Sequence, residues 1–227
     1  SGSDTAVQKI VFQTTEGVSA LFLTSDDPVN QGRAWVEASE DKSNKATGSM
    51  ILLDETGSTV NAGKLKQIKG RGNSTWKGAK KPYQIKLDKK ADLLSTGDAA
   101  NSNKTWVLLA NYFDPSLLRN SLAFDLAGAM QMDPALQYRP VSLYYDGEYR
   151  GAYQLSEKVE IASGRVDITD LEKLNEKANA AIDDLATLPL AQATTANGAT
   201  YRYTTGMQSP ADITGGYLLE MDFATRA

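Results

Sequence analysis

Short stretches in which apolar and polar residues alternate dominate this chain, and only two stretches carry apolar residues at helical spacing. Residues 7–13 and 18–23, split by Thr14-Thr-Glu-Gly17, predict a hairpin, and further strands are expected near Ala34–Ala38 and Ser49–Leu53. Pro82 to Asp88 sets Tyr83, Ile85 and Leu87 against Gln84 and Lys86, which places Lys86 on the face opposite the apolar side chains. Leu93 to Asn103 is loop-like, and Trp106-Val-Leu-Leu-Ala110 reads as a buried strand or short helix. Asp114-Pro115 predicts a helix start, and Leu118, Leu122, Leu126 and Met130 carry that helix for about four turns. Val141 to Leu155 alternates around Asp146-Gly147, the strongest hairpin signal in the chain. A second helix is predicted from Thr169, with Glu172 completing a capping box, to a stop before Pro189. Residues 187–212, rich in Ala, Thr, Gly, Ser and Gln, read as a flexible loop or flap, and 215–222 as a last strand.

Composition narrows the chemistry. The 227 residues are 41% hydrophobic and 23% charged, which suits a folded protein with a buried core. A net charge of -4 argues against a nucleic-acid binder. Neither cysteine nor histidine occurs, which removes thiol nucleophiles, disulfides, His-ligated zinc and Ser-His-Asp catalysis. Carboxylates, lysines, arginines and hydroxyls remain. No apolar run approaches the length of a membrane span. Ser1-Gly-Ser3 reads as a cloning scar.

Against this acidic background, Lys69 to Asp88 holds Arg71, Lys77, Lys80, Lys81 and Lys86 around a glycine-rich turn. Two glycines beside small hydroxyl and amide side chains let backbone approach an anion, and the strand that follows can hold a lysine rigidly. The layout suits a phosphate, and a turn with solvated lysines is the plain alternative. It is neither a Walker A loop nor G-x-G-x-x-G, since Thr75 stands where the last glycine would be.

Several blocks, in order, resemble the CotH family, named for a bacterial spore coat protein. They are Arg71-Gly-Asn-Ser-Thr-Trp76, Lys81-Pro-Tyr83, Ile85-Lys-Leu87, Trp106-Val-Leu-Leu-Ala-Asn-Tyr112, Leu118-Arg-Asn120, Asp146-Gly-Glu-Tyr-Arg-Gly-Ala-Tyr153, Leu155-Ser-Glu157 and Gly215-Gly-Tyr-Leu-Leu-Glu220. The resemblance implies an atypical protein kinase that moves the ATP γ-phosphate to Ser/Thr hydroxyls of a protein substrate, with ATP and a divalent metal, Mg or Mn, as cofactors. The short strands and charged turns before those blocks read as a β-rich amino-terminal module over 4–62, and the resemblance, which runs from about Lys69 to the end, implies a kinase-like amino-terminal lobe of mostly antiparallel sheet with helices over 63–227, giving an α+β fold with the segment 187–212 flexible.

On this resemblance Arg71, Asn73, Ser74 and Thr75 lie near the nucleotide phosphates, and Lys81 or, preferably, Lys86 neutralises them. Glu157 is the expected carboxylate partner of that lysine, with Glu220 behind it. The family's Asn-x-Asp and Trp-Asp-x-Asp segments, which bind metal and orient substrate, have no counterpart here, and Asp222-Phe-Ala224 is only superficially similar to Asp-Phe-Gly. The expectation is therefore an incomplete catalytic lobe, a shortened chain inactive by itself, located outside the cell, at a cell surface or in a spore coat. A secreted scaffold or glycan-binding module using Trp35, Trp76 and Tyr149 is the reading from another class.

Overall fold

The computed structural model describes residues 17–218; the strand expected at 7–13, Glu220 and Asp222 lie outside them. Residues 17–165 and 166–218 belong to two separate compact units.

The first unit is a closed barrel. Its strands are β1 (Ser19–Ser25), β2 (Lys45–Leu53), β3 (Thr59–Gly70), β4 (Tyr83–Ala91), β5 (Asn103–Leu109), β6 (Tyr138–Tyr145) and β7 (Glu148–Glu157). Around the barrel they run β1-β2-β3-β4-β5-β7-β6, and a parallel pairing of β1 with β6 closes the ring. Every other pairing is antiparallel. Alternation along each strand sends Leu21, Leu23, Met50, Leu52, Ile68, Tyr83, Ile85, Trp106, Leu108, Leu143, Tyr145 and Leu155 into one continuous core. The fold is thus β-rich with few helices. The boundary expected at residue 62 falls inside β3, and strands on both sides of it share this core, so no separate amino-terminal module forms.

The stretch expected as a strand near Ala34–Ala38 is a helix, α1 (Arg33–Ala38). Six residues are too few for periodicity to choose between the two. The choice is made by Asp146, whose carboxylate accepts from the Arg33 amide at 2.8 Å and so satisfies a free N–H at the helix start. Val36 is then buried and Trp35 packs against the core. At the other end of the same contact, Asp146 and Gly147 take φ values of 50° and 81°, the tight turn that the Asp-Gly pair predicts.

Helix α2 (Arg119–Ala129) is shorter than its leucine spacing suggests. Leu117 has φ 60°, which no helix continues through, so Pro115 cannot be its first turn. Asp114 instead organises the lead-in turn, accepting from the Ser116 amide and hydroxyl and from the Arg119 amide. The helix meets the barrel through Ser121, Phe124 and Asp125, which contact Gln154 and Tyr138. Leu118, Leu122, Leu126 and Met130 consequently face outward and are more than half exposed.

In the second unit, α3 (Leu171–Ala178) is capped by Asp170, whose side chain accepts from the Lys173 amide, rather than by Thr169. It stops well before Pro189, because Asn179 turns its amide onto Asn175 and Gln208. The stretch expected to be a loop contains an exposed hairpin, β8 (Leu190–Thr194) with β9 (Thr200–Thr204). Residues 215–218 are not a strand.

Candidate phosphate site

The glycine-rich loop between β3 and β4 is built on a buried tryptophan. Trp76 is 3% exposed and donates its indole N–H to the Ser39 carbonyl at 2.9 Å. Its ring lies so close to Gly70 that a Cβ there would stand 2.4 Å from it, so the strand must end on glycine. Gly72, at φ 80°, makes the turn, and the Arg71 amide closes the loop onto the Pro82 carbonyl. Lys81 laces it across: its ammonium donates to the Trp76 carbonyl at 2.6 Å and sits 5.2 Å above the Trp76 ring.

Beside this loop the segment after β5 forms the other wall of a cleft of about 240 Å³. Arg71 and Thr75 enter from the loop, Asn111 and Tyr112 from the end of β5, and Arg119 and Asn120 from the start of α2. Arg71 is half-buried, and burial lowers its pKa from the ordinary arginine value; no carboxylate among the described residues offsets that cost. Arg119 is exposed, 3.6 Å from Asp114. Asn120 donates to the Asn111 side-chain oxygen at 2.8 Å, and Asn111 donates in turn to Gln154 at 3.4 Å, which holds both carboxamides in place. The aromatic rings of Tyr112 and Phe113 stand edge to face at the rim, 5.3 Å apart. Two guanidinium groups, fixed carboxamides and a hydroxyl around one small cleft make a receptor for an anion with several oxygens.

Of the residues singled out in the sequence, Arg71 and Thr75 meet at this cleft, while Asn73 and Ser74 are exposed on the same loop without lining it. Lys81 is committed to bracing the loop. Lys86 is exposed on the outer face of β4 and does not line the cleft. Glu157 is not its partner. It follows Tyr153 and Leu155 on the inward face of β7, is 5% exposed, and accepts from the Gln137 amide at 2.9 Å. A lysine outside the sheet and a glutamate inside it cannot form the lysine–carboxylate pair of a kinase. Burial raises the Glu157 pKa, against the Gln137 hydrogen bond and the nearby Arg165 charge. Asn111, Arg119 and Asn120 were missed as site residues, although Asn111-Tyr112 and Leu118-Arg-Asn120 are among the blocks that carry the resemblance.

A family model described as CotH kinase protein matches residues 68–203, more than half of the chain. The chain belongs to the CotH kinase family. A comparison with curated proteins gives no match. The matched span opens within β3, so β1 and β2, which close the barrel, precede it.

Family membership implies a nucleotide and a divalent metal, and the cleft suits the two differently. Its arginines and carboxamides fit phosphate oxygens. Its one carboxylate, Asp114, is already occupied on both oxygens by Ser116 and the Arg119 amide, and among the described residues no three acidic side chains cluster to hold a metal. The donor set of the described residues of this member of the CotH kinase family therefore fits the phosphates and not the metal. Of the aromatics named for a sugar platform, Trp76 is buried and Trp35 packs against the core, while Tyr149 is exposed with its ring tilted against Tyr144 at 5.1 Å, so the three do not form one platform. Among the described residues no helix is long and apolar enough to cross a membrane.

Proposed function

We propose that this CotH kinase binds the phosphates of ATP in the Arg71 cleft and serves a protein kinase that transfers the γ-phosphate to Ser/Thr hydroxyls. One observation carries the proposal: a half-buried arginine without a carboxylate partner faces a second arginine across a cleft of phosphate size. An arginine held in that way has its desolvation offset when an anion arrives, which favours binding of the charged group. In phosphoryl transfer a protein mostly positions groups and stabilises charge, so Arg71 and Arg119 would bind and orient phosphate oxygens while Thr75 and Asn120 supply further donors. Tyr112 and Phe113 offer apolar surface to the rest of the nucleotide. No step is assigned to a metal. A location outside the cell, at a cell surface or spore coat, belongs to the same proposal and rests on the family alone.

Calorimetric titration of ATP tests it. Arg71→Ala and Arg119→Ala should each weaken binding about ten- to hundred-fold, the loss of one charge-assisted contact, whereas Lys86→Ala leaves affinity unchanged. ATP binding that survives both arginine substitutions intact would sink the assignment. Radiolabelled phosphate appearing on a Ser/Thr protein substrate is the separate test of transfer; its absence beside intact ATP binding would remove the kinase reaction and keep the site.

A further inference from the structure

The ladder between β3 and β4 breaks off half-way. It pairs Gly70 with Tyr83 and ends at Leu65 with Leu87. Continued, it would next pair Lys64 with Asp88, Gly63 with Lys89, Ala62 with Lys90 and Asn61 with Ala91. Those residues instead line the opposite walls of an opening of about 580 Å³. The two walls differ in firmness. On β3 the stretch stays in regular register with β2, Asn61 against Leu52 and Lys64 against Ser49. On β4 it has also lost its other neighbour, since the register with β5 jumps from Lys86/Thr105 to Ala91/Asn103. A firm strand therefore presents a free edge, with backbone N–H and C=O groups at strand spacing and no neighbour among the described residues to take them.

That edge is accessible and charged. Ala62 and Gly63 are exposed, and a Cβ added to Gly63 would meet nothing nearer than the Asn61 side chain at 3.8 Å. Lys64, Lys89 and Lys90 line the opening and Lys66 reaches its wall at Asp88, and all four lysines are exposed. The one carboxylate on its walls, Asp88, is paired with Lys66 at 3.0 Å. In a chain of net charge -4 this leaves a local excess of positive charge at the free edge. A second copy would bring lysines against lysines, so the edge repels itself.

We propose that the edge of β3 at Asn61–Lys64 is a docking site for an acidic segment of a partner protein, taken up in extended form as an added strand. About four residues of extended chain match the length of the free edge. Backbone hydrogen bonds to β3 supply the pairing, and carboxylates at alternate positions meet Lys64 and Lys90. A polyanion without amide groups satisfies the charge and not the edge, which is why a peptide is the better fit.

The test is fluorescence anisotropy with the full chain and a labelled library of seven-residue peptides carrying Asp or Glu at alternate positions. Acidic peptides should bind, with affinity falling as salt rises, while matched Lys peptides do not. Methylating alternate backbone amides of a bound peptide should weaken it roughly tenfold, the loss of one or two hydrogen bonds. Lys64→Glu with Lys90→Glu should do the same or more while the melting temperature holds. No binding by acidic peptides at about 1 mM, a level weaker than a functional docking site would show, overturns the proposal. So does affinity indifferent to amide methylation and matched by polyphosphate, which would make the patch a general anion surface.

Discussion

A single carboxylate shows how much one side chain can hold together. Asp146 sits at the β6–β7 turn, yet its oxygens accept from the Ser25 amide at 2.7 Å, the Ser25 hydroxyl at 3.0 Å and the Arg33 amide at 2.8 Å. It therefore ties the end of β1 and the start of α1 to the turn. Asp146→Ala should lower stability by about 2–4 kcal/mol in urea denaturation, because three donors lose their acceptor; Asp146→Asn should recover part of that. Glu157 works in the opposite direction. Its pKa is raised in the folded protein, mainly by burial, so ionising it costs stability. The contribution is fully present below the unfolded value of 4.5 and is lost as pH rises through the raised folded value. Glu157→Gln should accordingly melt higher than the parent at neutral pH, with the advantage gone near pH 4. An equal or lower melting temperature at pH 7 would show that Glu157 is stabilised as the anion. The sequence made the Asp-Gly turn legible, since two residues define it. It did not reveal the three long-range donors, which lie more than a hundred positions away in the chain.

At the scale of elements, the strands were legible because alternation is local, and their burial follows from it: β2 reads exposed and buried by turns from Lys45 to Met50. Helix α2 was legible in kind and misjudged in placement. Four leucine-type residues at helical spacing ordinarily mark the buried face, but the bonding partners of Ser121 and Asp125 on the barrel turn that face outward. Leu122→Gln and Leu126→Gln should thus change stability by no more than about 0.5 kcal/mol, whereas Leu143→Ala, fully buried in β6, should cost about 2–5 kcal/mol. Chemical denaturation of the three variants decides it. Comparable losses at Leu122 and Leu143 would mean that the leucine face is covered in solution. The cleft was half legible for a related reason. Its loop wall is one contiguous, glycine-marked stretch, while Asn111, Arg119 and Asn120 join it only because the chain doubles back at Leu117.

For the molecule as a whole, the family-matched span and the folding unit do not coincide. Residues 68–203 begin near the end of β3 and omit β1 and β2. Those two strands pair with β6 and β3 and contribute Leu21, Leu23, Met50 and Leu52 to the core, so without them the barrel has two open edges and an uncovered interior. The carboxyl-terminal limit of the barrel is set by Arg165. Its side chain is fully buried, donates to the Thr105 carbonyl at 2.6 Å, pairs with Glu160 and lies 5.0 Å over the Trp106 ring. Three shortened chains separate these contributions. Residues 1–167 should melt cooperatively and keep ATP affinity, since every barrel strand and Arg165 are retained. Residues 1–163 should lose about 2–4 kcal/mol, because the Thr105 carbonyl and the Glu160 carboxylate lose a buried charged donor. Residues 68–203 should fail to give a cooperative melt by circular dichroism. A cooperative melt from 68–203 would show that β1 and β2 are dispensable and that the closed barrel is not the unit that positions Arg71.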